Sequence, residues 1–244
     1  PEEFLEARVV MIFKKGATNN IDNYRPISLI STITKAFAAI LKHRISDSID
    51  KHLHATQYGF RREKSTTHAI HIVRRLIDIG ERNNKYTDSE AIQLILLDWE
   101  KAFDKVDRAQ LFNSMKRMGV DQQLIDITKS IYRETVFCFE LDGHTSEWLP
   151  KHTGIRQGCP LSPHLFLIVM TTMFYDVHQE TDKYLKDQRV PGADFDEVTY
   201  ADDTICIPTD TEAMNKFLEA FEWEGFRYGP HSKMQTYTSK TKEK

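Results

Sequence analysis

Two short apolar, β-branched runs, Val198-Thr199 and Thr204-Ile205-Cys206-Ile207, flank Tyr200-Ala201-Asp202-Asp203, and no other feature constrains the chain as strongly. Runs of this kind separated by a few residues read as a β-hairpin, here over 196–208. A tip that only had to turn would more commonly use Asn-Gly or Asp-Gly. Adjacent aspartates repel each other, so the tip is built for a positively charged partner.

The remaining pattern has to supply a sheet and the helices that cover it. "VVMIFKKG" (9–16) reads as a strand ending in a turn, and "AIQLILLDW" (91–99) is a near-continuous apolar run of buried-strand type. Helical spacing begins near Ser31 within 26–53, at Ser65 or Thr66 up to Ile79, and over 108–118, 121–136 and 211–225. A strand, turn and strand are expected over 136–149, and a long, largely buried helix over 161–180 after the Pro163 start. Helices and strands mix without regular βαβ alternation, which predicts an α+β fold. No internal repeat, low-complexity tract or Pro/Gly/Ser linker divides the sequence.

With 40% hydrophobic residues in 244, the chain can bury a core, which excludes a disordered tail. Three cysteines (Cys138, Cys159, Cys206) with no Cys-x-x-Cys pair form neither a disulfide framework nor a zinc ribbon, and fit a reducing, intracellular setting. No apolar run approaches the roughly 20 residues of a membrane span, and "PEEFLEARVV" lacks the order of a signal peptide. A start without Met and an end in "TSKTKEK" suggest a piece of a longer polypeptide. Net charge is −3, distributed as +4 over residues 1–90 and −7 over 91–244. Either one part grips phosphates and the other holds cations, or both are ordinary solvated surface.

Asp98 follows a run of buried-strand residues. Alone it reads either as a strand-end or turn residue or as a metal ligand offered from the rim of a sheet. Three carboxylates within reach of one another cannot all stay ionised without a cation, because each raises the pKa of the others. Oxygen ligands without His or Cys select Mg²⁺ or Mn²⁺. Between these acids lies "GIRQGCPLSPHLF" (154–166), whose glycines let the backbone approach a flat or phosphate-bearing ligand ahead of a helix start. By itself the stretch could equally be a loop entering a core helix.

The blocks "NYRPISL" (23–29), "QYGFRREKST" (57–66), "LDWEKAFDKVDR" (97–108), "GIRQGCPLSPHLF" and "YADD" (200–203) occur in the order and spacing of one family. Over roughly residues 8–233 the chain resembles the reverse transcriptase domain of non-LTR (LINE-like) retrotransposons, with more distant similarity to group II intron reverse transcriptases. The resemblance implies a right-hand polymerase fold in a single domain. Its fingers would cover about 1–90 and 108–150 and its palm about 91–107 and 151–244, with the thumb absent from this segment. It implies an RNA-directed DNA polymerase that adds dNTPs to a primer 3′-hydroxyl by two-metal-ion phosphoryl transfer.

By the same resemblance, Asp98, Asp202 and Asp203 are the catalytic and metal-binding residues for two Mg²⁺ ions, with Mn²⁺ able to substitute. Neighbours on a hairpin cannot both aim at one point, so Asp202 is expected as the direct ligand and Asp203 as a supporting charge. Phe103 matches the aromatic that excludes a 2′-hydroxyl, its other reading being a core aromatic. Lys14 or Lys15, with Arg25, matches the triphosphate contacts. Gln157 and Gly158 match positions against the nucleotide and template base. Gly59, Phe60, Arg61, Arg156 and Tyr200 are template or primer candidates, although surface salt bridging is an equal reading for Arg61, Arg62 and Lys64. Asp104 and Asp107 are expected in turn or salt-bridge contacts, and Trp99 as filling of the palm. Lys233 matches a late lysine near the active site, but "GFRYGPHSKM" (225–234) has Gly229 and Met234 where the family has Asn and Thr.

The implied partners are an RNA template, a DNA or RNA primer and dNTPs, with no membrane and an open oligomeric state. Nuclear and cytoplasmic location follows from the resemblance alone. Two rivals stand beside this reading. One is a decayed or domesticated RNA-binding remnant of the same fold. The other is an RNA-dependent RNA polymerase, although those more typically carry Gly before the paired acids.

Overall fold

In chain order the elements are β1 (Glu6–Phe13), β2 (Tyr24–Leu29), α1 (Thr32–Ile49), α2 (Thr66–Arg82), β3 (Gln93–Glu100), α3 (Ala102–Lys105), α4 (Arg108–Arg117), α5 (Gln122–Tyr132), β4 (Val136–Leu141), β5 (His144–Thr145), β6 (Leu149–Pro150), α6 (Ser162–Leu185), β7 (Glu197–Tyr200), β8 (Asp203–Cys206), α7 (Thr211–Tyr228) and β9 (His231–Thr238). The computed structural model describes residues 4–82, 93–141, 143–185, 195, 197–207 and 211–238, so the expected strand start at 91–92 and the hairpin flanks at 196 and 208 lie outside the described residues. Among the described residues no helix is long and apolar enough to cross a membrane.

One unit comprises residues 1–51 and 103–169. Its sheet is mixed: β1 pairs antiparallel with β2 and parallel with β4, and β4 also pairs with the short strands β5 and β6. The sequence pattern leaves β2 unassigned because Arg25-Pro26 interrupts it; Pro cannot donate to a ladder and is tolerated on an edge strand, where β2 lies. Helix α1 starts where the Ser31 hydroxyl accepts the Thr34 N–H at 3.1 Å, and it buries Thr34, Ala38, Leu41, Ile45 and Ile49 on one stripe. Asp107 caps α4 in the same way, accepting from Gln110 N at 2.8 Å.

The other unit comprises residues 52–102 and 170–244, around an antiparallel sheet of order β7-β8-β3-β9. On one face Ala69 and Leu76 of α2 pack with Leu94, Val198 and Ile207. On the other, Trp99 packs on Phe221 of α7 at 4.8 Å between ring centres, and its indole N–H donates to Thr204 Oγ1 at 3.4 Å. Strand β9 has no counterpart in the sequence reading. It pairs with β3 along its whole length, from Gln93 opposite Thr238 to Glu100 opposite His231. Gly229 makes this return possible: at φ +103° it ends α7, its N–H donating to Gly225 O at 2.9 Å, in the conformation that favours glycine at a helix C-terminus.

Candidate active site

The hairpin closes with Tyr200 opposite Asp203, leaving a two-residue loop of Ala201 and Asp202. Of these two only Ala201 has positive φ, at 59°, a backbone conformation that favours glycine. An alanine there costs about 1 kcal/mol or somewhat more, and the surrounding residues hold it in place. Gln57, 2% exposed, accepts the Ala201 N–H at 2.9 Å and the Gly59 N–H at 2.7 Å on the same Oε1. Residues 56–58 run parallel to β7, with Thr199 N donating to Thr56 O at 3.0 Å and Tyr58 N to Thr199 O at 2.8 Å. A Cβ on Gly59 would collide with the Ala201 backbone, so the glycine is required by close approach. The block expected along a template thus begins with a saddle under the Ala201–Asp202 turn. Phe60 follows, exposed and at φ 56°, and Arg61 donates to His54 O at 3.0 Å.

Register decides where the acids stand. Leu97 pairs with Thr204, so Asp98 lies one step further on, level with Asp203. Directly opposed residues of an antiparallel pair share a face, which puts Asp98 and Asp203 on the side of Leu96 and Ile205, away from Trp99. Asp98 and Asp203 are exposed and Asp202, in the turn, is partly buried. Among the described residues these three do not form a group whose ligand oxygens all lie within 4.8 Å of one another. Asp98 is not a strand end: β3 continues to Glu100 because β9 supplies a partner, and that pairing sets the backbone of Lys233 directly opposite Asp98. On the same face a cavity of about 300 Å³ is lined by Tyr200, Asp203, Val198 and Ile205 of the hairpin and by Ala69, Ile70 and Val73 of α2.

The remaining candidates lie in the unit formed by residues 1–51 and 103–169. Lys14 and Lys15 follow β1 and Arg25 stands opposite Ile12, all three exposed. The loop 154–158 is held by backbone bonds from Gly154 to Val106, from Ile155 to Phe103, and from Ser28 to Gln157, each 2.7 or 2.8 Å. Gly158 has φ +103°, and a Cβ there would press on Ser28 O. Phe103 is half-buried and stacks on Phe166 at 4.8 Å with rings 12° apart. The Gln157 side chain donates to Asp104 at 3.3 Å, and Asp104 is paired with Lys151 at 2.7 Å, the salt bridge expected of it.

Arg156 departs from expectation. It is 4% exposed, donates to Ile131 O at 3.3 Å and lies over the Tyr132 ring, so it braces the interior instead of reaching a template strand. Burial lowers its pKa and pushes that of Tyr132 up to about 12. Two residues that tie the loops together went unmarked in the sequence although both sit inside the quoted blocks. One is Gln57; the other is Arg108, whose guanidinium donates to Gly154 O at 3.0 Å, Tyr132 O at 2.6 Å and Thr135 Oγ1 at 2.9 Å.

Comparison with known proteins bears on the family and the fold. The model of a family described as "Reverse transcriptase (RNA-dependent DNA polymerase)" matches residues 12–242. The RNA-directed DNA polymerase from mobile element jockey of Drosophila melanogaster is 27% identical over 236 residues, covering 91% of this chain and 24% of the relative. A Pol polyprotein from the type-1 retrotransposable element R2 of Nasonia vitripennis is 24% identical over 222 residues, covering 91% of this chain and 20% of its own length. The chain therefore spans less than a third of the curated relatives it matches. Apo telomerase from Candida tropicalis, truncated from its C-terminal domain, shares the fold with TM-score 0.67 at 13% identity, over 99% of this chain and 52% of that one.

Proposed function

The chain belongs to the reverse transcriptase family, as a domain of the non-LTR kind, and from that premise we propose that it adds dNTPs to a primer 3′-hydroxyl along an RNA template, with Asp98, Asp202 and Asp203 holding two Mg²⁺ ions. The observation that carries this reading is the β3–β8 register, which sets Asp98 level with Asp203 beside the Asp202 turn. The donor set fits such ions: it is carboxylate oxygen alone, at the solvent-reached end of the sheet face, with neither His nor Cys in the hairpin loop. Bound there, Mg²⁺ would lower the pKa of the primer hydroxyl and neutralise charge on the reacting phosphates.

The chain's own residues do the positioning. Gln57 fixes the turn that presents Asp202, and β9 keeps β3 extended past Asp98. Lys14 or Lys15 and Arg25 contact the triphosphate, as exposed cations suited to phosphate oxygens. Phe103, fixed by its stack on Phe166, limits the sugar to a deoxyribose. Gln157 and Gly158 lie against the nucleotide, their loop pinned to Ser28.

Primer extension on an RNA template with Mg²⁺ tests the proposal, comparing the parent chain with Asp202→Ala and offering dNTPs and rNTPs separately. Extension with dNTPs that the variant loses is the expected result. Equal extension by the variant would remove the hairpin from the chemistry, and template binding without extension, with Mn²⁺ also tried, would favour the RNA-binding remnant.

A further inference from the structure

The catalytic hairpin has a second end, and the residues there are of another kind. Glu197, the first residue of β7, is completely buried. Its carboxyl oxygens are met by His54 Nε2 at 3.2 Å, from the start of the segment that runs beside β7, and by His178 Nε2 of α6 at 3.1 Å. The three ligand atoms all lie within 4.8 Å of one another, the one group of this kind among the described residues. The imidazole rings are nearly parallel, 5° apart with centres 5.8 Å apart.

We propose that His54, His178 and Glu197 form a Zn²⁺ site that ties residue 54 and helix α6 to the base of the catalytic hairpin. Two imidazoles and a carboxylate are a zinc donor set, and the same set is a poor one for Mg²⁺. Ligands about 2.0–2.1 Å from a tetrahedral ion lie roughly 3.3 Å from each other, close to the spacing found here. Each histidine also has a polar group behind it. His54 Nδ1 is 2.7 Å from Thr56 Oγ1, and His178 Nδ1 is 3.5 Å from Asp182, one helical turn along α6. The first contact fixes the His54 tautomer and aims Nε2 at the metal, and the second is an ion-pair distance that places a negative charge behind His178. A cavity of about 380 Å³, lined by His54, Thr56, Tyr58, His178, Asp182 and Phe195, gives the ion an entry path and leaves room for a water as fourth ligand.

This inference stands on geometry separate from Asp98, Asp202 and Asp203 and does not depend on the polymerase reading. Its rival is a metal-free triplet in which both histidines hydrogen-bond to Glu197. Titration of chelator-treated protein, residues 1–244, with Zn²⁺ against a colorimetric competitor separates the two. One equivalent per chain is expected, with affinity at least about 100-fold weaker in His178→Asn and unchanged in Asp98→Asn. Should His178→Asn fail to fold, X-ray absorption on the zinc-loaded parent counts the ligands, and two imidazoles are expected. Substoichiometric binding, binding lost in Asp98→Asn, binding unaffected in a folded His178→Asn, or fewer than two imidazoles would each overturn the proposal.

Discussion

The two ends of β7 show how one short strand treats carboxyl groups in opposite ways. At the Tyr200 end the acids of the hairpin and of β3 are exposed or partly so and not closed into a tight group, so water can separate their charges. At the Glu197 end a single carboxyl group is wholly buried and has two imidazoles within hydrogen-bonding distance. The lesson is that a carboxylate left in solvent costs folding little, whereas a buried one must be satisfied by its own protein. On the proposed function the first arrangement would serve chemistry, while the second fixes the strand that carries it.

Substitutions should separate these roles. Asp202→Ala should reduce primer extension at least about 100-fold while moving the urea unfolding free energy by no more than about 0.5 kcal/mol. In metal-free protein Glu197→Ala should do the reverse, losing about 3 kcal/mol of stability because two histidines lose their shared acceptor in a buried site. If Glu197→Ala left the unfolding midpoint in place, the contrast between the two ends would collapse. Gln57→Ala should fall between them, with about 1–2 kcal/mol lost from the orphaned Ala201 and Gly59 N–H groups and a measurable fall in extension rate. A Gln57→Ala enzyme of normal rate would mean that the turn holds its geometry without the saddle. Ala201→Gly should stabilise the chain slightly, by up to about 1 kcal/mol, as the left-handed residue is relieved.

The smallest effect concerns pH. Burial lowers the pKa of His164, with Lys42 lowering it further and Asp50 opposing. The folded chain then binds this proton more weakly than the unfolded chain does. Its contribution is fully present above the unfolded pKa of about 6.5 and is lost as pH falls from there toward the lower folded value. Urea midpoints taken at pH 7 and below should therefore fall slightly less steeply for His164→Gln than for the parent. Identical slopes would remove His164 from the acid response.

Much of this was legible in the residues themselves. Periodicity placed α1, α2, α4, α5, α6 and α7, and the hairpin was readable from its alternation around Asp202-Asp203. Strands β2 and β9 were not, for different reasons: Pro26 hides an edge strand, while "HSKMQTYT" carries a pattern that only pairing with β3 turns into a strand. Asp98 was recognisable as a candidate, but its position level with Asp203 is a matter of register, which depends on residues far apart in sequence. Arg156 was misread because an arginine in a glycine-bearing loop looks solvent-facing until Ile131 and Tyr132 close over it. Gln57 could have been found by asking what holds an alanine at a position that prefers glycine.

The hydrogen bond from Ala201 to Gln57 spans 144 positions of sequence, and this has a consequence for how the chain is made. At roughly 5–20 residues per second on a ribosome, the saddle would wait on the order of ten seconds or more before the turn it supports exists. The interval is lengthened because residues 103–169 of the other unit are synthesised in between. Strand β3 waits longer still for β9, with one hydrogen-bonding edge unpaired until nearly the whole segment has emerged. A nascent chain stalled near residue 190 would expose a long apolar edge of the kind that captures strands from other chains, so the sheet that carries the paired aspartates is among the last parts of its own domain to be finished.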